Sequence, residues 1–296
     1  MSMLLDRDLI YLVGTVIFLE GILSIANVAI LGAMVVVLPK EEAIPWFAPL
    51  RFLAQPAQRL LGGQRSAALT VALLGSFLFR AAMLLLADFV VQNQWLQLLA
   101  VFYLIKLGME HLGRLATEKG SAANLEALSP KGFWRVVLST QLAGLSFAIN
   151  GVMEVATLSA ERWLDTFGIL IGIVTMCLVA RSFTAMLVRE PLLKPAAYLM
   201  VFNMGVELLP DEVFYIRGDP LVKFMASGGT LMLAMLYPRM PLLQELRPAL
   251  YWAGRGMAIV NRQIDWALRP IVALARLSLK MALIGLRLAM TLVRRK

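Results

Sequence analysis

Five charged side chains lie where a membrane-spanning helix would bury them: Glu20, Arg80, Lys106, Glu154 and Glu207. Each sits inside a long apolar stretch, Lys106 toward one end of its own. A charged group at bilayer depth is costly unless it is paired or faces a water-filled cavity, so such positions are the first candidates for function. Two chemistries fit them. Together with the amides Asn27 and Asn150, the carboxylates can offer oxygen ligands to a cation crossing the membrane. Glu20 and Arg80 can equally form a static pair that only fixes helix packing. The intramembrane polar set is therefore Glu20, Asn27, Arg80, Lys106, Asn150, Glu154 and Glu207.

The elements that hold these residues follow from composition. The 296 residues are 60% hydrophobic and only 16% charged, with a mean hydropathy of +0.76. A soluble domain has about 45–50% apolar and about 25% charged positions, so a water-soluble globular enzyme is excluded. A helix needs about 20 apolar residues to cross the hydrocarbon, where no water can satisfy the backbone. Seven stretches qualify, at roughly 10–38, 66–91, 95–113, 133–160, 163–187, 192–210 and 220–237. The sequence thus predicts an all-α polytopic protein with seven transmembrane helices in residues 1–241, followed by a separate unit at 242–296. Between the first two spans, Pro39, Pro45, Pro49 and Pro56 break helices, and Trp46, Phe47, Leu50 and Phe52 suit the headgroup layer. Gln92 to Gln94 is so short that spans two and three form a tight hairpin.

The basic residues are distributed by side. The segments 39–65, 106–135, 181–194 and 238–296 hold 23 of the 28 Lys and Arg residues. The alternate segments hold eight acids, among them Asp88, Asp165, Asp211 and Glu212, against Arg7, Arg162 and Arg217. By the positive-inside rule this predicts a bacterial inner-membrane protein with its N-terminus outside and its C-terminus cytoplasmic. Met1 to Asp8 reads MSMLLDRD, acidic where a signal peptide is basic, so no cleaved leader is expected.

Other chemistry is poorly served. One Cys and one His exclude a disulfide framework, a thiolate cluster and a multi-His site. Phosphate loops, His-Glu-x-x-His and a nucleophile elbow are absent, so no enzyme is expected. His111 at a span boundary reads as a packing or hydrogen-bonding residue, and Cys177 as a small hydrophobe.

Span one contains Leu19-Glu20-Gly-Ile-Leu-Ser-Ile-Ala26-Asn27, and span four contains Phe147-Ala-Ile-Asn150-Gly151-Val152. They enter the membrane from opposite sides, so spans 1–3 and 4–6 would be inverted repeats, an arrangement that places binding sites at mid-membrane. In these two motifs the chain resembles the TerC family of integral membrane proteins, named for tellurium resistance and allied to the LysE-type exporters. Phe79-Arg80, Leu104-Ile105-Lys106 with Glu110-His111, and Gly205-Val206-Glu207 also fall where that family has similar residues. The resemblance implies seven spans, an outside N-terminus, and divalent metal (manganese-type) efflux or homeostasis served by two intramembrane Asp positions. Those positions are Ala26 and Asn150 here. Asn supplies one neutral oxygen and Ala none, whereas a hard cation needs carboxylate charge to offset its lost hydration. Two readings therefore stand. One is a transporter using a relocated Glu20, Asn27, Asn150 and Glu154 cluster for a divalent cation. The other is a transport-inactive scaffold or accessory subunit of a larger membrane assembly.

The tail follows a separate logic. Arg255, Arg262, Arg269 and Arg276 recur every seven residues, and Lys280, Arg287 and Arg294 resume the spacing after a step of four. On a helix these seven share an arc of about 60°, with apolar residues around most of the rest. Such a basic amphipathic helix lies along the membrane on anionic lipid headgroups, or packs its apolar face on a membrane-protein partner or a second copy. Nucleic acid is disfavoured, because solvated polar surface is missing.

Overall fold

The computed structural model describes residues 27–46, 54–117, 130–158, 162–189, 193–214, 220–236 and 247–293, with 13, 14, 24, 240 and 245 besides. The described residues are mostly helical and contain no strand. A stretch at 27–35 (α1) is followed by α2 (Ala54–Leu61), α3 (Gln64–Leu85), α4 (Ala87–Gln92) and α5 (Gln94–Thr117). Beyond them come α6 (Pro130–Leu158), α7 (Arg162–Arg189), α8 (Leu193–Phe214), α9 (Pro220–Leu236) and α10 (Arg247–Val293). Proline begins α6 and α9, where the missing N–H costs nothing. Gln64–Leu85 and Gln94–Arg114 are long and apolar enough to cross a membrane, and the bent pair 170–180 and 182–189 would make a third.

The first helix is central. Val28 to Leu31 and Ala33 are fully buried, and Met34 to Val36 nearly so. A helix buried all round belongs inside a bundle rather than on its surface. Around it pack Ala72 of α3, Leu104 of α5, Phe147 of α6, Leu187 of α7 and Val201 of α8.

Small residues set the approach of the outer helices, as is usual where packing rather than hydrophobicity drives association. Gly108 of α5 lies so close to Phe202 of α8 that an added Cβ would sit 2.6 Å from the Phe202 Cβ. Gly205 of α8 meets Ile105 in the same way, and His111 stacks on Tyr198, so the two helices are antiparallel. In α3 and α6, Gly75 faces Gln141 and Ser76 faces Gly144, which makes that pair parallel. Gln141 fixes the register by donating to the Val71 carbonyl at 2.9 Å.

At one end of the bundle, α1 and α3 cap each other. The first N–H groups of α3 donate to the carbonyls of Glu42 and Pro39. In return Arg65 donates from Nε to the Leu38 carbonyl (2.9 Å) and from Nη2 to that of Val36 (3.1 Å). A cation on carbonyls past a helix C-terminus suits both the hydrogen bonds and the dipole. Gly62 takes φ +74°, which lets the chain turn from α2 into α3. Trp46 lies edge-on to Trp134 here, with ring centroids 5.8 Å apart. Phe47, Leu50 and Phe52 lie outside the described residues.

Two boundaries differ from the sequence reading. The expected span 66–91 is two helices broken at Leu86, although neither Gly nor Pro marks the place. Asp88 in the first turn of α4 favours the restart through the helix dipole. The helix expected to end at 210 continues through Pro210 to Phe214, since proline's fixed φ is helical. The tail is one helix through Pro270, and its first half packs on α5.

Candidate functional site

Mid-bundle, Ser24 and Asn27 of the first stretch, Ser76 and Arg80 of α3, and Ser146 and Asn150 of α6 are all buried. Spacing of three or four residues within each helix puts each pair on one face. Arg80 is 3% exposed and donates from Nη1 to Ser24 Oγ at 3.4 Å, linking α3 to the first stretch. Because Ser76 abuts Gly144 and the helices are parallel, Arg80 lies level with the turn of α6 that ends in Asn150. Asn150 is 5% exposed. Ser76 Oγ is buried with no hydrogen-bond partner among the described residues. The described side chains of this centre are thus hydroxyls, neutral amides and one guanidinium.

That donor set decides what the centre can do. Amide and hydroxyl oxygens can stand in for part of an ion's hydration shell, but a hard divalent cation also requires negative charge. No group of three or more His, Cys, Asp or Glu that could hold a metal occurs among the described residues. The carboxylates expected here, Glu20 and Glu154, cannot be added: Glu20 and Ala26 lie outside the described residues, as does the side chain of Glu154 on α6.

Two members of the expected set are elsewhere. Glu207 is half-buried on α8, where Oε1 accepts from Asn203 Nδ2 one turn earlier at 3.2 Å. Lys106 faces the basic end of α5, 3.5 Å from Glu110 and 2.8 Å from Asp265 of α10. Glu110 also binds Arg114 at 2.7 Å, so α5 ends in a charge network. His111 packs as expected: its ring lies flat on Tyr198 (centroids 4.0 Å, planes 9° apart), with Nδ1 3.0 Å from the Leu107 carbonyl.

Ser24, Ser76, Arg65 and Asp265 were not singled out by the sequence. Hydroxyls in apolar helices are too common to stand out. Asp265 did carry a signal, being one of only two acids in the 242–296 tail, against ten basic residues. A lone acid in a basic helix faces a cation. In the tail, Arg255, Arg262 and Arg269 are exposed, while Arg276, Lys280 and Arg287 have side chains outside the description and Arg294 lies outside it altogether.

Residues 50–244 match the profile of the family described as "Integral membrane protein TerC family". The chain is similar to two proteins of Bacillus subtilis (strain 168), described as uncharacterized membrane proteins. YceF is 26% identical over 217 residues, which span 69% of this chain and 76% of YceF. YkoY is 26% identical over 223 residues, 70% of this chain and 61% of YkoY. No solved structure matches the chain.

Proposed function

This chain belongs to the TerC family of integral membrane proteins, and we propose that it is a transporter-class protein of metal-ion (manganese-type) efflux or homeostasis. The reading takes all seven apolar stretches as spans, with spans 1–3 and 4–6 as inverted repeats. It places the N-terminus outside a bacterial inner membrane and the C-terminus in the cytoplasm, from the division of basic residues. The observation that carries it is the buried polar centre, in which Arg80 of α3 bonds Ser24 and the buried Asn27 and Asn150 stand on α1 and α6. Polar groups at bilayer depth are retained where something polar passes or binds. A transporter built this way is not an enzyme, and it binds its ion as cargo.

The second reading, a scaffold or accessory subunit without transport, draws on one specific feature. Ala26 and Asn150 stand where the family resemblance implies two Asp residues, so two formal charges are missing, and Arg80 adds a positive one. On either reading the wild-type chain binds manganese weakly.

Calorimetry of the full chain in detergent separates the two. Transport predicts weak manganese binding that strengthens at least tenfold in Ala26→Asp/Asn150→Asp and weakens in Asn27→Ala. If the folded double variant binds no better than wild type, the centre is not an ion path and the scaffold reading replaces transport.

A further inference from the structure

We propose that α10 is a docking surface for anionic phospholipid, formed by Arg255, Arg262 and Arg269 and held in register by the Lys106–Asp265 ion pair. The proposal is independent of what the bundle carries.

The geometry starts at α5. Gly113 lies against Ala258, and seven residues earlier on α5, Lys106 binds Asp265, seven residues later on α10. The helices therefore run antiparallel side by side for about 10 Å. Gly254 and Asn261 are buried along the same strip of α10. At about 100° per residue, Gly254, Ala258, Asn261 and Asp265 cover an arc of roughly 60° that faces α5. Arg255, Arg262 and Arg269 fall in the next arc, centred roughly 70° away, and Ile259, Trp266 and Trp252 in the one after that.

The charge on this middle strip is not neutralised from within. Asp265, at helical spacing from both Arg262 and Arg269, is turned to Lys106. Among the described residues no carboxylate pairs with any of the three arginines. Arg255 instead lies 4.6 Å over the ring of Tyr251. Trp252 and Trp266 beside them are 79% and 71% exposed.

The position of the strip selects the occupant. Residues 94–105 of α5 are uncharged, whereas the turns that meet α10 carry Lys106, Glu110, His111 and Arg114. The pairing is thus at the polar end of a membrane-crossing helix, where headgroups lie. A row of cations flanked by Trp and Ile repeats the order of a leaflet, phosphates beside acyl chains. Anionic phospholipid satisfies both strips at once.

The test uses the full chain in detergent, with phosphatidylglycerol or phosphatidylcholine added and retained lipid counted by native mass spectrometry. Wild type should retain phosphatidylglycerol in preference. Arg262→Gln/Arg269→Gln changes only exposed side chains and should weaken retention on the order of 30-fold at low salt, and less at high salt. Asp265→Asn leaves every arginine in place and should also lower retention, with the swap Lys106→Asp/Asp265→Lys restoring it. Equal retention of both lipids, or full retention by the double Gln variant, overturns the proposal. So does a co-purifying protein whose removal is needed before phosphatidylglycerol binds, since the strip would then be a protein interface. Unchanged retention in a folded Asp265→Asn variant overturns the role of the ion pair.

Discussion

Gly108→Ala is the substitution that most directly probes how the bundle is assembled. The new Cβ would lie 2.6 Å from the Phe202 Cβ, 2.9 Å from its Cα and 3.0 Å from its backbone nitrogen. Ordinary carbon contacts need about 3.5–4.0 Å. Two of the three atoms are backbone, so no rotamer change relieves the overlap and α5 and α8 must part by about 1 Å. Overpacking of this kind costs roughly 1–3 kcal/mol. Against it stands the better helix propensity of Ala, worth about 1 kcal/mol. Gly256→Ala isolates that second effect, because nothing lies within 4 Å of a Cβ there. Thermal unfolding of both variants in the same detergent should show Gly256→Ala at or above wild type and Gly108→Ala lower by about 1–3 kcal/mol. The His111–Tyr198 stack, one turn away, should loosen in Gly108→Ala alone. Equal shifts in the two variants would refute the close α5–α8 packing.

Arg65→Met should destabilise the protein by about 1–3 kcal/mol, because the Val36 and Leu38 carbonyls lose their donor; denaturant unfolding followed by tryptophan emission reads this. Trp134→Phe removes the 2.8 Å hydrogen bond to the Pro45 carbonyl and should cost about 0.5–1.5 kcal/mol, with faster proteolysis at residues 39–46 as the local readout. Arg80→Ala should cost about 1–3 kcal/mol in thermal unfolding, since Ser24 Oγ loses its buried, charged donor. Lys106→Ala should release α10 from α5 without unfolding the bundle, seen as new cleavage within residues 247–270 and an unchanged main transition.

Much of the helical layout was legible because apolar runs and breakers are local signals. Each of the seven stretches is mainly helical where it is described, apart from residues 36–38 and Leu86. The break at Leu86 was invisible, since neither Gly nor Pro stands there. Continuation through Pro210 was missed for the opposite reason, since a breaker was present and tertiary contacts overrode it, with the Glu212 carbonyl accepting from Gln94. Charged positions in apolar runs led correctly to Arg80 as a buried group. Lys106 pairs with Asp265, which lies far along the chain where no local pattern connects the two. Arg65 was counted only as a basic residue of a connection, because capping by a side chain 27 residues from its acceptor leaves no sequence signature.

The claim that the polar centre carries a metal ion is tested most directly by flux. The full chain is reconstituted into liposomes with a manganese-sensitive dye inside, and dye quenching is followed after manganese is added outside. Wild type should carry manganese above empty liposomes, Ala26→Asp/Asn150→Asp should alter the rate at least several-fold, and Asn27→Ala/Asn150→Ala should abolish it while keeping the wild-type unfolding transition. Wild-type flux indistinguishable from empty liposomes, in a sample that unfolds cooperatively, would contradict transport through this centre.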